Sequence, residues 1–553
     1  MTSSDHDPES LHHYPHPSSR SAVLATEGVV ATSQPLAAQA GLGVLADGGS
    51  AVDAAIATAA ALTVVEPCSN GLGSDAFAIV WDGTKLHGLN GSGRWPSANR
   101  ADELRASGGG GSSTAPGAGT GTMPERGWGP VTVPGAVDSW GVLHQRFGRL
   151  PIERLLQPAI RYAERGYPVS PVVARQWEAA ARFFPSLGLE EVADWATVFT
   201  PGGRAPRAGE QWASGGHARC LRRLVDGGWR DFYEGEVAEA IAAYATTTGG
   251  RLSLDDLAAH QAEWVDPISV AYNGCEVWEI PPNGQGIAAL MALGVAANTP
   301  AATHPRLSAG GWHYQIEAMK LAFADTDSYV ADQQHQEVPV AGMLAPDYLK
   351  TRAELITEQA GDPARGEPRR GGTVYLCAAD RDGMMVSFIQ SNYMGFGSGI
   401  VVPSHGVSLQ NRGAGFVLHP DHPNVAAPDK RPRHTIIPGF LTRGGRAVGP
   451  FGVMGGEMQP QGHLQVISGM VDHGLNPQAV LDAPRWQVER DWTVKVEAET
   501  PNSVVSGLRA RGHRVDVERS RMSFGRGQII IRSEDGVYAA GSEPRADGCA
   551  VGI

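Results

Sequence analysis

The sequence predicts an α+β protein, and three observations lead to this expectation. Residues 23–32 mix β-branched and small side chains as a strand does, and residues 34–46 then carry helical periodicity that ends at a glycine pair. Residues 76–81 and 85–89 flank Asp82-Gly83, a turn pair that favours a β-hairpin. Residues 312–330 have the spacing of a long helix.

Further elements follow along the chain. The apolar stretch 51–65 is too short to span a membrane and predicts a buried helix. Helical patterns dominate residues 137–263, with 145–166 and 255–264 as the clearest pieces. Residues 373–380 and 384–391 flank Arg381-Asp382-Gly383, which predicts two strands joined by a tight turn.

Composition limits the class of partner. The chain has 553 residues, 42% of them hydrophobic, and a formal charge of -13. The hydrophobic fraction is enough for a sizeable core, and the acidic balance argues against general binding to nucleic acid or anionic lipid. A small-molecule substrate is expected.

The sequence also predicts a cytoplasmic location. The first 20 residues contain no apolar stretch that could act as a secretion signal. The five cysteines are widely spaced, odd in number and without a CxxC pair, so neither a disulfide framework nor a zinc knuckle is indicated.

Three polar segments divide the chain. Residues 1–22 form a polar leader that we expect to be disordered, and the Gly/Ser-rich stretch 107–122 predicts a mobile surface insertion without chemistry. Residues 358–372 are rich in Gly, Pro and charge and predict an exposed linker. This linker leads to Thr373, so we place the boundary between residues 23–372 and 373–553 there.

Long motifs carry a resemblance to one family. The chain from about Val23 to Gly541 resembles the γ-glutamyltranspeptidase family of N-terminal-nucleophile hydrolases, in particular its bacterial acylase and oxamate amidohydrolase-like branch. The matching stretches include TVPGAVDSW, PPNGQGIAALMAL, EAMKLAFAD, GGTVYLCAADRDG, GFGSGIVVP, RPRHTIIP and GPFGVMGGEMQPQGHLQV.

The resemblance implies a fold and a maturation step. The fold is a four-layer αββα sandwich, in which two stacked antiparallel sheets are flanked by helices. Cleavage between Gly372 and Thr373 would give a large subunit, 23–372, and a small subunit, 373–553, that together form one unit. No metal or organic cofactor is implied, and a homo-oligomer of such heterodimers is one possible assembly.

The resemblance assigns catalysis to four residues. Thr373 matches the nucleophile, and its α-amine, with a reference pKa of about 7.7 to 8.0, would serve as the base once the preceding bond is cut. Gly455 and Gly456 match the paired glycines whose N–H groups stabilise the oxyanion. Ser391 matches a threonine that hydrogen-bonds the nucleophile, and a solvent-facing strand serine is the alternative.

The substrate pocket departs from the family pattern. Arg94 matches the arginine that grips the α-carboxylate of a glutamyl group, but Gly415 replaces the acidic residue that accepts the glutamyl ammonium. Arg412 replaces a glutamine, Tyr393 an asparagine, and His434 and Thr435 a pair of serines. A pocket without its anion disfavours a free ammonium, whereas two arginines suit an acidic acyl group.

We therefore expect a self-processing amide hydrolase or acyltransferase that forms an acyl-enzyme on Thr373, with an oxalyl, glutaryl or similar acidic acyl amide as substrate. The alternatives are a genuine glutathione hydrolase, an enzyme that hydrolyses an activated carbon–carbon bond, and an inactive scaffold that binds an acidic metabolite. A serine hydrolase of the α/β type is disfavoured because no G-x-S-x-G occurs.

Other acidic residues are expected to be structural. Glu66 and Asp75 are interpreted as buried structural groups. The helical spacing of Glu317, Asp325 and Asp327 predicts a solvated face rather than a metal site.

Overall fold

The computed structural model describes residues 20–106, 122–363 and 372–553. The leader, apart from residues 20–22, and nearly all of the 107–122 insertion lie outside these residues, as does most of the 358–372 linker. The described part of the leader includes Arg20, which donates to Ser542 Oγ and to the carbonyl of Gly548.

Two antiparallel sheets of seven strands each form the centre of the molecule. The first contains, in spatial order, β1 (Val23–Ala25), β20 (Tyr538–Ser542), β19 (Arg526–Arg532), β15 (Arg446–Met454), β14 (Gly439–Arg443), β9 (Cys275–Glu279) and β8 (Ile268–Tyr272). The second contains β21 (Cys549–Gly552), β2 (Gly28–Thr32), β10 (Gly372–Asp380), β11 (Met385–Tyr393), β3 (Asp75–Trp81), β4 (Leu86–Asn90) and β7 (Glu263–Val265).

The remaining strands are short: β5 (Tyr167–Pro168), β6 (Gln211–Trp212), β12 (Val401–Val402), β13 (Val407–Ser408), β16 (Trp486–Val488), β17 (Val494–Glu497) and β18 (Val515–Glu518). The helices are α1 (Pro35–Ala46), α2 (Ala51–Val65), α3 (Ala101–Ala106), α4 (Ala136–Phe147), α5 (Ile152–Arg165), α6 (Pro171–Ser186), α7 (Asp194–Phe199), α8 (Gly215–Gly227), α9 (Asp231–Glu234), α10 (Glu236–Thr248), α11 (Leu254–Ala258), α12 (Gly286–Ala297), α13 (Ala309–Tyr329), α14 (Val340–Met343), α15 (Pro346–Ala353), α16 (Met458–Val471), α17 (Pro477–Asp482) and α18 (Asn502–Ala510).

The elements pack in four layers. Helices α1 and α2 cover the second sheet, α12, α16 and α17 cover the first, and β10 and β11 face β15 across the contact between the sheets. Every residue of α2 is buried, as the apolar stretch 51–65 predicts. The αββα sandwich is therefore confirmed. None of the helices in the described ranges is long and apolar enough to cross a membrane.

Two sequence expectations need correction. Residues 23–32 form two strands in different sheets, because the carbonyl of Ile553 accepts hydrogen bonds from the amides of Thr26, Glu27 and Gly28 and the chain turns there. In the 255–264 piece the helix ends at Ala258, and β7 begins at Glu263.

Both sides of the predicted cleavage point contribute to one sheet. Strand β10 pairs with β2 and with β11, and β11 pairs with β3. Residues from the 23–372 part therefore flank the central hairpin of the 373–553 part on both sides. Hydrogen bonds between neighbouring strands therefore join the two parts within one sheet.

A buried ion network supports one end of this unit. Arg545 bonds Glu497 and Glu543, and Arg485 bonds Glu543 and donates to the carbonyl of Gly525. Burial would raise the pKa of Glu543, but the two guanidinium groups hold it at about 2. Gly525 is packed against Gly455, where an added Cβ would come within 3.0 Å of its Cα.

Replacing Arg545 by Met should destabilise the protein by about 3–5 kcal/mol, because the buried Glu497 and Glu543 each lose one of their two cations. Chemical denaturation at pH 7 measures the change, with Arg519→Met at an exposed arginine as the control. Glu543 has a lowered pKa, so its stabilisation is full above an ordinary glutamate pKa of about 4.3 and fades as the pH falls towards 2. A variant as stable as the control at pH 7 would contradict this account.

Candidate active site

Thr373 lies at the buried start of the central hairpin. It is 1% exposed and follows Gly372 in β10. The pairing of β10 with β11 shifts register at this point, since Gly372 lies opposite Tyr393 and Val374 opposite Gln390. The bulge leaves Thr373 out of the regular pairing and next to Ser391.

Ser391 connects Thr373 to a buried arginine. Its Oγ lies 3.0 Å from Thr373 Oγ1 and accepts hydrogen bonds from Arg412 Nη2 at 3.0 Å and from the amide of Tyr393 at 2.8 Å. Ser391 is fully buried, so the solvent-facing alternative is wrong. The Arg412 guanidinium is therefore connected to Thr373 Oγ1 through the Ser391 hydroxyl.

Arg412 is held on three sides. Its side chain is 0% exposed, Nη1 donates to Thr435 Oγ1 at 2.7 Å, and the guanidinium lies 4.2 Å from the centre of the Tyr393 ring. Burial lowers the pKa of Arg412 to about 10, an effect that nearby Asp75 opposes. The group remains a cation at neutral pH, and the structure brings Ser391, Tyr393, Arg412 and Thr435 into contact.

The twin glycines begin the helix that faces Thr373. Gly455 and Gly456 have φ values of 141° and 63° and join β15 to α16. The carbonyl of Gly455 accepts from the amide of Met458, so the N–H of Gly456, antiparallel to that carbonyl in a trans peptide, points the other way. Gln459 on α16 donates to Thr373 Oγ1 at 3.4 Å.

Gln285 joins this turn to the strand-like segment around Thr435. Its Nε2 donates to the carbonyl of Thr435 at 2.7 Å and to that of Gly456 at 3.0 Å. Sequence reasoning missed Gln285 and Gln459, although both stand in quoted motifs. Their side-chain amides fix the distance between the glycine turn, Thr373 and the Arg412 cluster.

His434 points away from this cluster. Its Nδ1 accepts from the amide of Ile436, which leaves Nε2–H to donate to Asp75 Oδ2 at 3.0 Å. Burial and the charge of Arg412 lower the pKa of His434, and burial raises that of Asp75 to about 7. The structure thus pairs His434 with the buried Asp75 that the sequence had suggested as structural.

Arg94 belongs to a second charged group. Its side chain is 28% exposed, it donates to Gln334 and to the carbonyl of Asp429, and it lies 3.5 Å from Asp332 and 3.7 Å from Glu263. Arg431 completes this group through two hydrogen bonds to Glu263. The structure does not place Arg94 in the hydrogen-bonded group of Arg412.

Gly415 marks the place of the missing acid. A Cβ at this position would lie 2.8 Å from the carbonyl oxygen of Arg433, closer than real Cβ contacts allow. The carboxylate is therefore absent, and the backbone has also closed over the space that its side chain would need.

The solvated face expected for Glu317, Asp325 and Asp327 is wrong, because all three are buried. Asp325 pairs with Arg352, and Asp327 pairs with Arg433. Helical spacing shows which residues share a face but not what packs against it. In this way sequence reasoning missed Arg433, together with Glu457, whose Oε2 lies 3.9 Å from Arg433 Nη2.

Among the described residues, His313, Glu317 and His513 have ligand atoms within 4.8 Å of one another and could hold a metal. Lys320 Nζ already donates to Glu317 Oε1 at 2.8 Å, and the two rings hydrogen-bond each other. The ammonium repels a cation, so the arrangement favours an internal ion pair. The absence of a metal stays a prediction.

Comparison with known proteins identifies relatives across the whole fold. The family model described as Gamma-glutamyltranspeptidase matches residues 37–553. A glutathione hydrolase-like YwrD proenzyme of Bacillus subtilis is 35% identical over 96% of this chain and 99% of its own, and an oxamate amidohydrolase proenzyme of Klebsiella pneumoniae is 33% identical over the same shares. The crystal structure of a cephalosporin acylase from Bacillus halodurans superposes with a TM-score of 0.92 at 50% identity, covering 98% of each chain.

Replacing Ser391 by Ala should destabilise the protein by about 2 kcal/mol, because Arg412 Nη2 loses a charge-assisted hydrogen bond in a site without water access. Ser391→Thr keeps the hydroxyl and should lose less than half as much. Denaturant midpoints of both variants measure the difference. Equal losses in the two variants would show that the hydroxyl is not what matters.

Proposed function

The chain belongs to the gamma-glutamyltranspeptidase family, and on that premise we propose that it is an N-terminal-threonine hydrolase that cuts itself between Gly372 and Thr373. The observation that carries the proposal is the buried pair of Thr373 Oγ1 and Ser391 Oγ, 3.0 Å apart, at the start of a central strand. Its relatives are named as proenzymes, which supports cleavage of a precursor.

Self-cleavage needs the Thr373 hydroxyl to attack the carbonyl carbon of Gly372. The proton of Oγ1 passes to the amide nitrogen of Thr373 as the C–N bond breaks, and the chain passes through an ester on Thr373 that water hydrolyses. Water supplies the hydroxyl of the new Gly372 carboxylate, and Thr373 gains a free α-amine. Ser391 supports this step because its Oγ already accepts from Arg412 and Tyr393, so its O–H donates to Thr373 Oγ1 and orients the lone pairs of that oxygen.

Turnover uses the same oxygen with the new amine as base. A free α-amine has a pKa of about 7.7 to 8.0, and the adjacent cation of Arg412 favours its neutral, basic form. Oγ1 attacks the carbonyl carbon of the substrate amide, and the α-amine of Thr373 takes the Oγ1 proton. The amine of the substrate leaves with that proton, and water then releases the acid from the acyl-enzyme. The N–H of Gly456, directed away from α16, supports the oxyanion.

The substrate we propose is a small amide with an acidic acyl group. Arg412 is a fully buried cation beside the nucleophile, and no acid can occupy position 415 without movement of the Arg433 carbonyl. A buried ammonium without an acceptor costs several kcal/mol, so this pocket disfavours a γ-glutamyl group and favours an anion. The amidohydrolase activity in the name of one relative is in line with this choice.

One observation favours the second candidate, a γ-glutamyl substrate. Glu457 stands next to Gly456, and within the described residues its Oε2 makes no hydrogen bond, so it could accept an ammonium. Burial raises the pKa of Glu457 to about 7, against the effect of Arg433. A carboxyl group that is half protonated at neutral pH is a poor partner for a cation, and we rank this candidate second.

We also propose a cytoplasmic enzyme whose two fragments stay associated through β2, β10, β11 and β3. The described cysteines are all free, in line with a reducing compartment. Hydrolysis of an activated carbon–carbon bond would use the same nucleophile and oxyanion donors. An inactive scaffold is disfavoured because Thr373, Ser391 and the glycine turn are assembled together.

Thr373→Ala should leave the chain whole and abolish activity, because the variant has no side-chain oxygen. Thr373→Ser keeps the hydroxyl and should still be cut. Intact mass and N-terminal sequencing of both proteins give the answer. Wild-type protein that hydrolyses amides while uncut at 372–373 would refute the proposal.

Oxamate and glutaryl amides should be hydrolysed faster than a γ-glutamyl anilide by the matured protein, by about tenfold or more, since one unpaired buried charge is worth more than 1.4 kcal/mol. Initial rates at equal concentration measure the ratio. Faster turnover of the γ-glutamyl compound would instead assign Glu457 as an ammonium acceptor.

A further inference from the structure

Arg433 presents a buried edge towards the candidate site. Its side chain is 11% exposed and its Nη1 forms an ion pair with Asp327. Within the part of the chain that the structure describes, Nε and Nη2 make no hydrogen bond, and the nearest charge to Nη2 is Glu457 Oε2 at 3.9 Å. One half of the guanidinium is therefore paired and the other half is not.

The unpaired half of the guanidinium, Nε and Nη2, is the side that can bind an anion. Nε–H and one N–H of Nη2 are parallel, and this edge of an arginine forms two hydrogen bonds to a carboxylate. Asp327 holds the opposite side of the guanidinium, which fixes the direction of the edge. Leaving two buried donors without acceptors is costly, and a planar anion satisfies both at once.

The position of this edge follows from its neighbours. Arg433 acts electrostatically on Tyr393, whose ring lies against Arg412, and its Nη2 lies 3.9 Å from Glu457 Oε2. Gln285 ties Thr435 to Gly456, and Glu457 is the next residue after Gly456. The edge is thus near both Tyr393 of the Arg412 cluster and the turn at Gly455 and Gly456.

The charge balance of this region favours an anion. Arg412, Arg433 and Arg490 all act on Glu457, whereas Asp327 is the other carboxylate that does so. Burial raises the pKa of Glu457 to about 7, so at neutral pH it carries only part of a negative charge. A bound carboxylate would add negative charge that these guanidinium groups attract.

We propose that Arg433 binds the carboxylate of the acyl group through Nε and Nη2 and thereby determines specificity for acidic acyl amides. The inference rests on the proposed function and assigns to Arg433 the carboxylate contact that the family resemblance gives to Arg94. Arg94 is paired with Asp332 and Glu263 in the second charged group and serves as the matched control.

The test compares Arg433→Met and Arg94→Met on anilides whose leaving group carries no charge. The acidic substrate is the oxalyl or glutaryl anilide that the wild type hydrolyses faster, and the neutral one has a methyl group in place of the carboxylate. In Arg433→Met the ratio of kcat/KM, acidic over neutral, should fall about 10- to 100-fold, mainly through KM, because a bidentate charged contact is lost. In Arg94→Met it should stay within about threefold.

Other outcomes overturn the proposal. Equal losses on both substrates in Arg433→Met would show a structural role, and loss of the preference in Arg94→Met would return the contact to Arg94. If Arg433→Met does not fold, Arg433→Lys keeps the pairing with Asp327 but has no fork, and full retention of the preference there refutes the assignment. A wild type that is neither cut at Thr373 nor active on either anilide would instead refute the proposed function.

Discussion

The pairing of β10 with β11 in the middle of a buried sheet is the constraint on which the site depends. It brings Thr373 and Ser391 within 3.0 Å of each other, and β2 and β3 on either side prevent the hairpin from moving. A cut after residue 372 would detach the pairing of Gly372 with Tyr393, but the pairing of β10 with β11 from Val374 onwards and with β2 from Leu376 onwards would remain. A chain end can thus be created inside the core without loss of the geometry around it.

The charges around Thr373 are the second feature that shapes the site. The centre of the site contains the buried cation of Arg412, and Asp75 is the carboxylate that acts most strongly on it. Asp75 is held by His434, Gln410 and the amide of Gly93. Burial raises its pKa to about 7. The fold thus leaves positive charge near the Thr373 hydroxyl, and this charge supports the proposed anionic acyl group and a neutral α-amine.

Much of the framework could be predicted from local pattern, because alternation, turn residues and apolar runs decide it. The hairpin of β10 and β11 and the buried helix α2 follow from such signals, whereas the layer order was implied only by the resemblance to a family. The split of residues 23–32 does not, since it depends on Ile553 at the far end of the chain. The ion pair of Asp327 could not be predicted either, because its partner Arg433 lies 106 positions away and the two residues meet only in the tertiary structure.

The departures from the family pattern at positions 412 and 415 depend on the residues that surround them. An arginine at 412 alone would bury a costly charge, but Ser391, Thr435 and the Tyr393 ring accept it. A glycine at 415 alone would leave a hole, but the Arg433 backbone fills the space. The same backbone carries the Arg433 side chain, which Asp327 orients from α13. The glycine at 415 and the position of the Arg433 side chain are therefore parts of one local arrangement, and this arrangement leaves the pair of Thr373 and Ser391 in place.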